Sequence, residues 1–249
     1  MLKKLILPKS VDVLIVSPGG VATTMLIEFV QKFAKTNDHT DKDGFKHIPV
    51  PPISFNSKLR CIYIYGDPEL ATVSLFRRNF GRPQSKKLKK DCPFPQTISS
   101  NWSLEDYIDI ASRDDKFRMS FYEHFSNWFY KYRLYPTLFI RDDSIWEHIT
   151  EITDFLELPR SAIKSLPKPK ARKSREIKIQ PQYIAKLENM HRAMYVELSN
   201  LSTLEYKDKR SPLYLELPYI SYTIILVKEL SRQLKAKLKG ILLSQSNNY

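Results

Sequence analysis

Within residues 12–30 the hydrophobic pattern changes period across a pair of glycines, and this change constrains the fold more than any other feature of the chain. Val13 to Val16 form a continuous apolar run, whereas Met25, Leu26, Phe29, Val30 and Phe33 recur at helical spacing. The pattern predicts a buried strand, a tight turn through Gly19-Gly20, and a helix opening near Thr23-Thr24. Such a loop turns backbone N–H groups inward and leads into the positive end of a helix, which together favour a bound anion. Only six glycines occur in the 249 residues, and two stand here. A plain strand-to-helix turn would use the same residues without a ligand. Ala22 precedes Thr23-Thr24 and the turn holds no lysine, so the Gly-Lys-Ser/Thr loop of nucleoside triphosphatases is absent and ATP hydrolysis is disfavoured.

Three short apolar strands, near residues 12–16, 60–65 and 137–141, each precede a helical pattern. That alternation predicts an α/β fold with a central parallel sheet. Ligands of such sheets sit at the carboxyl ends of the strands, so Gly19 to Thr24 and Asp67 to Ser74 are expected to face one crevice. Asp67-Pro68 is a helix start in its own right, since aspartate caps free N–H groups and proline suits the first helical position. Ser74 is open between a ligand role and an ordinary helix-face serine.

The stretch Pro18-Gly19-Gly20-Val21-Ala22-Thr23-Thr24-Met25 resembles the 5′-phosphosulfate loop of sulfotransferases that use 3′-phosphoadenosine 5′-phosphosulfate (PAPS). It keeps the proline and paired threonines of Pro-Lys-Ser-Gly-Thr-Thr-Trp, is one residue longer, and lacks the lysine. Leu59 to Arg78 is similar to the family's second strand, Asp-Pro turn and helix, with Asp67, Pro68 and Ser74 in register and Gly66 where the family has an arginine. Tyr135 to Ser144, continuing through Phe155, Leu156, Leu158 and Pro159, is similar to its late strand and following helix. The resemblance covers roughly three quarters of the chain, by order and spacing of the blocks. It implies a three-layer, P-loop-like fold of sulfotransferase type.

The resemblance further implies that Gly19, Gly20, Val21, Ala22, Thr23 and Thr24 hold the 5′-phosphosulfate. Ser74 would hold the 3′-phosphate, helped by Arg172 and Lys173, which stand near the place of a late Arg-Lys pair in the family; Arg77 is a further candidate. The general base is open among His47, Glu105 and His124. His124 and Trp128 fit a His-Trp spacing common in the family, although the aromatic surroundings of His124 favour a packing role.

The formal net charge is +13. Basic residues concentrate at Arg160, Lys164, Lys168, Lys170, Arg172, Lys173, Arg175 and Lys178, and at Lys86, Lys87, Lys89 and Lys90. This field attracts phosphate-bearing ligands or polyanions without specifying which, and a solvated lysine-rich linker accounts for the first cluster equally well. No nucleic-acid reading module accompanies it, so no specific nucleic acid is expected. Two cysteines and five scattered histidines indicate neither a disulfide framework nor a metal centre.

The apolar run before Pro8 is too short for a secretory signal and no stretch has the length of a bilayer span, so a soluble cytoplasmic protein is expected. The Pro- and Lys-containing segment Gly81 to Ser100 is expected as a surface loop, Thr36 to Gly44 as a polar surface turn, and residues 104–134 as helical with inward aromatic residues. Residues 1–210 are expected to form the α/β domain. In the 211–249 extension, Ile220, Ile224, Val227, Leu230, Leu234, Leu238, Ile241 and Leu242 form an apolar helical stripe flanked by lysines. That stripe is open between docking on the protein's own core, self-association and peripheral membrane contact.

The expected function is transfer of a sulfuryl group from PAPS to a hydroxyl of a glycan or small metabolite. The alternative is a non-catalytic protein whose degenerate nucleotide crevice holds an anionic glycan or a protein partner, because the loop lysine and the arginine at Gly66 are both missing.

Overall fold

The computed structural model describes residues 6–88, 103–169 and 179–208. β1 (Val13–Val16) and α1 (Thr23–Val30) lie on either side of the glycine turn. β2 (Arg60–Tyr65) and β3 (Thr137–Arg141) run parallel to β1, in the order β1-β2-β3. Alternate residues of each strand enter different apolar layers, so both faces of the sheet are covered, as parallel sheets require.

On one face Val13, Ile15, Ile62, Ile64, Leu138 and Ile140 pack with Leu26, Ile27, Phe29 and Val30 of α1 and with Ile152 of α6 (Ile149–Phe155). On the other, Leu14, Val16, Tyr63, Tyr65 and Phe139 pack with Phe125, Trp128 and Phe129 of α5 (Phe121–Tyr130) and Met194 of α7 (Pro181–Ser199). The architecture is α/β, an open and mostly parallel sheet between two helical layers. Trp128 is fully buried, and its indole N–H donates to the Ile48 carbonyl at 2.9 Å, so a large apolar surface is buried without orphaning the donor.

A further core lies beside the sheet, built from α2 (Pro68–Arg77), α3 (Gly81–Leu88) and α4 (Leu104–Arg113) with Phe121, Leu187 and Met190. The helix α3 corrects the expected loop after Gly81. Gly81 and Pro83 fall in its first turn, where N–H groups have no helical acceptor, so neither residue breaks it. The expected helical stretch 104–134 is likewise two helices, α4 and α5, parted by a single 3-10 turn at Asp115–Phe117. Ser103 and Asp106 close a reciprocal capping box at the start of α4.

The sequence pattern predicts no fourth strand, yet β4 (Leu204–Lys207) pairs antiparallel with β3 and ends the sheet. Its alternation of Leu204 and Tyr206 with Glu205 and Lys207 spans too few residues to stand out from a loop. The opposite edge is closed differently. Asn37, fully buried rather than on a surface turn, accepts from Ile15 N at 2.8 Å and donates to Ile15 O at 3.0 Å, so one side-chain amide takes the place of a neighbouring strand. Phe33 falls beyond the end of α1 and is 38% exposed, outside the apolar stripe. No helix among the described residues is long and apolar enough to cross a membrane. Arg172, Lys173 and the 211–249 stripe lie outside the described residues.

Candidate functional site

Because β1, β2 and β3 are parallel, the turns after Val16, Tyr65 and Arg141 emerge at one end of the sheet, where α/β sheets bind ligands. The three turns touch. A Cβ on Gly66 would stand 2.5 Å from Asp142 Oδ1 and 3.0 Å from Val21 Cγ1, so Gly66 is the meeting point of all three. An arginine has no room at this position as the turns are arranged.

The glycine loop is held from inside. Ser17 Oγ accepts from Gly19 N at 3.1 Å and shares a 2.5 Å hydrogen bond with Thr23 Oγ1. Gly19 and Gly20 have φ of +101° and +76°, conformations that glycine adopts without strain. Gly20 also lies against α2, where an added Cβ would meet Ala71 O at 2.5 Å. Thr23 is buried while Thr24 is exposed, so the paired threonines have different tasks. The amino end of α1 carries no side-chain cap and no acidic residue in its first turn, which leaves its positive field unopposed by its own sequence.

A lysine reaches the loop from a part of the chain that carries no motif for one. Lys46, in the connection between α1 and β2, is 9% exposed and donates from Nζ to Thr24 Oγ1 at 2.6 Å and to His39 O at 2.7 Å. Burial lowers its pKa from the ordinary lysine value; Asp41 opposes that shift, and Lys87 and Arg78 add to it. These two cations therefore share its surroundings. Asp41 accepts from the Lys46 backbone N at 3.0 Å and pairs with Lys87 of α3, tying the connection to that helix. Only its charge marks Lys46 in the sequence, with no period around it.

The neighbouring His47 touches the same loop, its Nδ1 lying 2.8 Å from the Ser17 carbonyl. A carbonyl accepts only, so Nδ1 carries the hydrogen and the neutral ring keeps its lone pair on Nε2. Burial lowers the His47 pKa to about 4, against the pull of that carbonyl. His124 is placed otherwise. It is 1% exposed, its Nδ1 bonds Tyr63 OH at 2.8 Å, and its Nε2 has no partner among the described residues. Burial, with His47 nearby, lowers its pKa to about 3. Glu105 lies in the first turn of α4, a helix that packs on α7 and α2.

On α2, Asp67 caps the helix through bonds from Glu69 N at 2.8 Å and Leu70 N at 3.0 Å, with Pro68 in the first turn as expected. Tyr195 of α7 donates to Glu69 Oε1 at 2.7 Å and approaches Asp67 Oδ1 at 3.1 Å, which locks α7 to the mouth of the second turn. Ser74 is 9% exposed, and its carbonyl accepts from Arg78 Nε at 3.0 Å. Arg77 is exposed. The structure thus brings Gly19 to Thr24, Gly66 and the start of α2 together, and adds Lys46, His47, Asp142 and Gln84 to them.

No protein-family model matches the chain, and no curated protein matches it. Among the described residues no group of three or more His, Cys, Asp and Glu side chains is arranged to hold a metal ion.

Proposed function

We propose that the chain is a sulfotransferase-like protein that binds PAPS at the glycine loop and transfers its sulfuryl group to a hydroxyl of a glycan or small metabolite. The observation that carries this reading is the Lys46 ammonium on Thr24, at the uncapped amino end of α1 and beside the left-handed Gly19-Gly20 turn. In the transfer, the acceptor oxygen bonds to sulfur as the bond from sulfur to the 5′-phosphate oxygen breaks, and negative charge gathers on the leaving phosphate. Backbone N–H groups of Val21 and Ala22, the helix end and Lys46 offset that charge, with the Gly19 N–H spent on Ser17 Oγ to hold the loop in shape. Lys46 takes the part of the lysine that the loop lacks.

The acceptor hydroxyl must also lose a proton. We assign that step to His47, which is neutral near pH 7 and whose tautomer is set by the Ser17 carbonyl. Ser74, with Arg172 and Lys173, takes the 3′-phosphate. What supports this part is the register of Ser74 behind Asp67-Pro68.

Calorimetry with adenosine 3′,5′-bisphosphate, the donor's product, tests the reading. Wild type is expected to bind it, and Lys46→Met to weaken binding by about 1.5–3 kcal/mol, the scale of a hydrogen bond to a charged group. Wild-type protein that gives no binding heat overturns the assignment.

One observation favours the non-catalytic alternative: the Asp142 carboxylate lies against Gly66, where the resembling enzymes carry a cation. The two readings part on transfer of labelled sulfate from PAPS to a panel of sugar and phenol hydroxyls. Product binding without any transfer supports the binding protein.

A further inference from the structure

Arg141 N donates to Thr203 O at 3.0 Å, and β3 and β4 pair Ile140 with Leu204, Phe139 with Glu205, Leu138 with Tyr206 and Thr137 with Lys207. Hydrogen-bonded and non-hydrogen-bonded pairs alternate along an antiparallel ladder. The backbone groups of Thr203, Glu205 and Lys207 therefore face β3, and the N–H and C=O of Leu204 and Tyr206 face outward. Ser202 Oγ donates to the Leu204 carbonyl at 2.5 Å. Among the described residues no strand pairs with this edge.

We infer that the outer edge of β4 pairs antiparallel with β4 of a second copy of this chain, about a two-fold axis at Tyr206. The segment Leu204-Glu205-Tyr206-Lys207-Asp208 is self-complementary in charge when so paired. Tyr206 meets Tyr206 of the other copy as the hydrogen-bonded pair, and Glu205 meets Lys207, twice by symmetry. Opposite charges directly across a strand pair attract, and a slip of register loses both contacts.

The surroundings of the edge suit a self-contact rather than open solvent. Tyr206 is 56% exposed, although its ring also touches Phe155. On the other face Lys207 Nζ lies 4.3 Å over the Phe129 ring, Tyr130 packs edge-on beside Phe129, and its hydroxyl meets Glu197. Tyr130 is 48% exposed. Both faces of the strand thus carry exposed apolar groups that a second copy would cover, adding area that four residues of strand cannot supply alone.

The experiment is sedimentation of the full-length chain across a concentration series. Wild type is expected to dimerise reversibly. Glu205→Lys and Lys207→Glu, each alone, place like charges opposite one another and should raise the dimer dissociation constant roughly tenfold or more. Mixing the two variants sets two lysines on one chain against two glutamates on the other, so both cross-strand contacts are again of opposite charge. The mixture should return a heterodimer of near wild-type affinity, which a misfolded variant cannot do. A monomeric wild type overturns the inference. So does a dimer whose dissociation constant ignores both variants, an outcome that would point to the basic stripe of residues 220–243.

Discussion

Gln84 donates from Nε2 to the Pro18 carbonyl at 2.6 Å, across 66 residues of sequence. The same side chain fills the space beside Gly19, where an added Cβ would lie 2.8 Å from Nε2. A helix absent from the sequence expectation therefore buttresses the loop that the sequence marked most clearly.

The two glycines of that loop should respond differently to alanine. At Gly19 the obstacle is the end of a side chain, so the φ strain dominates and the loss should be about 1–2 kcal/mol. At Gly20 the obstacle is the Ala71 backbone, and the helix itself must shift, so the loss should exceed that of Gly19→Ala by about 1 kcal/mol or more. Urea denaturation of both variants checks the order, and Gln84→Ala should soften only the Gly19 substitution.

Thr23→Ala and Thr24→Ala should separate stability from binding. Thr23 is buried and bonded to Ser17, so its loss should lower stability by about 1–2 kcal/mol. Thr24 is exposed and holds Lys46; its loss should leave stability within about 0.5 kcal/mol and weaken bisphosphate binding. Melting curves and calorimetry on the two single variants read both effects.

Gly66→Arg, which supplies the cation found in the resembling enzymes, should not improve binding in the wild-type background. Its Cβ meets the Asp142 carboxylate, so even Gly66→Ala should cost about 1–3 kcal/mol. Asp142→Ala should recover part of that loss in the double variant. A cycle of urea midpoints measures the coupling.

Acid should weaken the fold before the carboxylates titrate. Burial holds His47, His124 and His191 neutral, with pKa values lowered from 6.5 to about 4, about 3 and about 4. The unfolded chain binds more protons at these three sites below pH 6.5, so their stabilising effect is complete above that value. It falls as the pH drops towards 4, at about 1.4 kcal/mol per pH unit for each proton taken up. Urea midpoints between pH 7 and 5 should fall accordingly, and His191→Gln should flatten the slope. His191 Nε2 lies 3.3 Å from Thr72 Oγ1, a contact that glutamine can reproduce.

The three parallel strands, the glycine turn and the Asp67 cap were legible because each is encoded locally, by a run of apolar residues or by residues that bond their own backbone. Lys46, Gln84, Asn37 and Asp142 were not. Each acts on a segment distant in sequence: Lys46 on Thr24, Gln84 on Pro18, Asn37 on Ile15 and Asp142 beside Gly66. A single polar residue in a connection has no period to reveal its partner. For the same reason Thr23 and Thr24 look alike as a pair, and only packing assigns one to the interior.

Asn37 also decides how far the sheet can grow. Its amide occupies the hydrogen-bonding positions of Ile15 that a newcomer would need, so the β1 border accepts no addition while that side chain keeps its place. Two molecules joined through β4 would then present a blocked border at each end. Such an assembly would close at a pair, since neither β1 border offers Ile15 to a third strand.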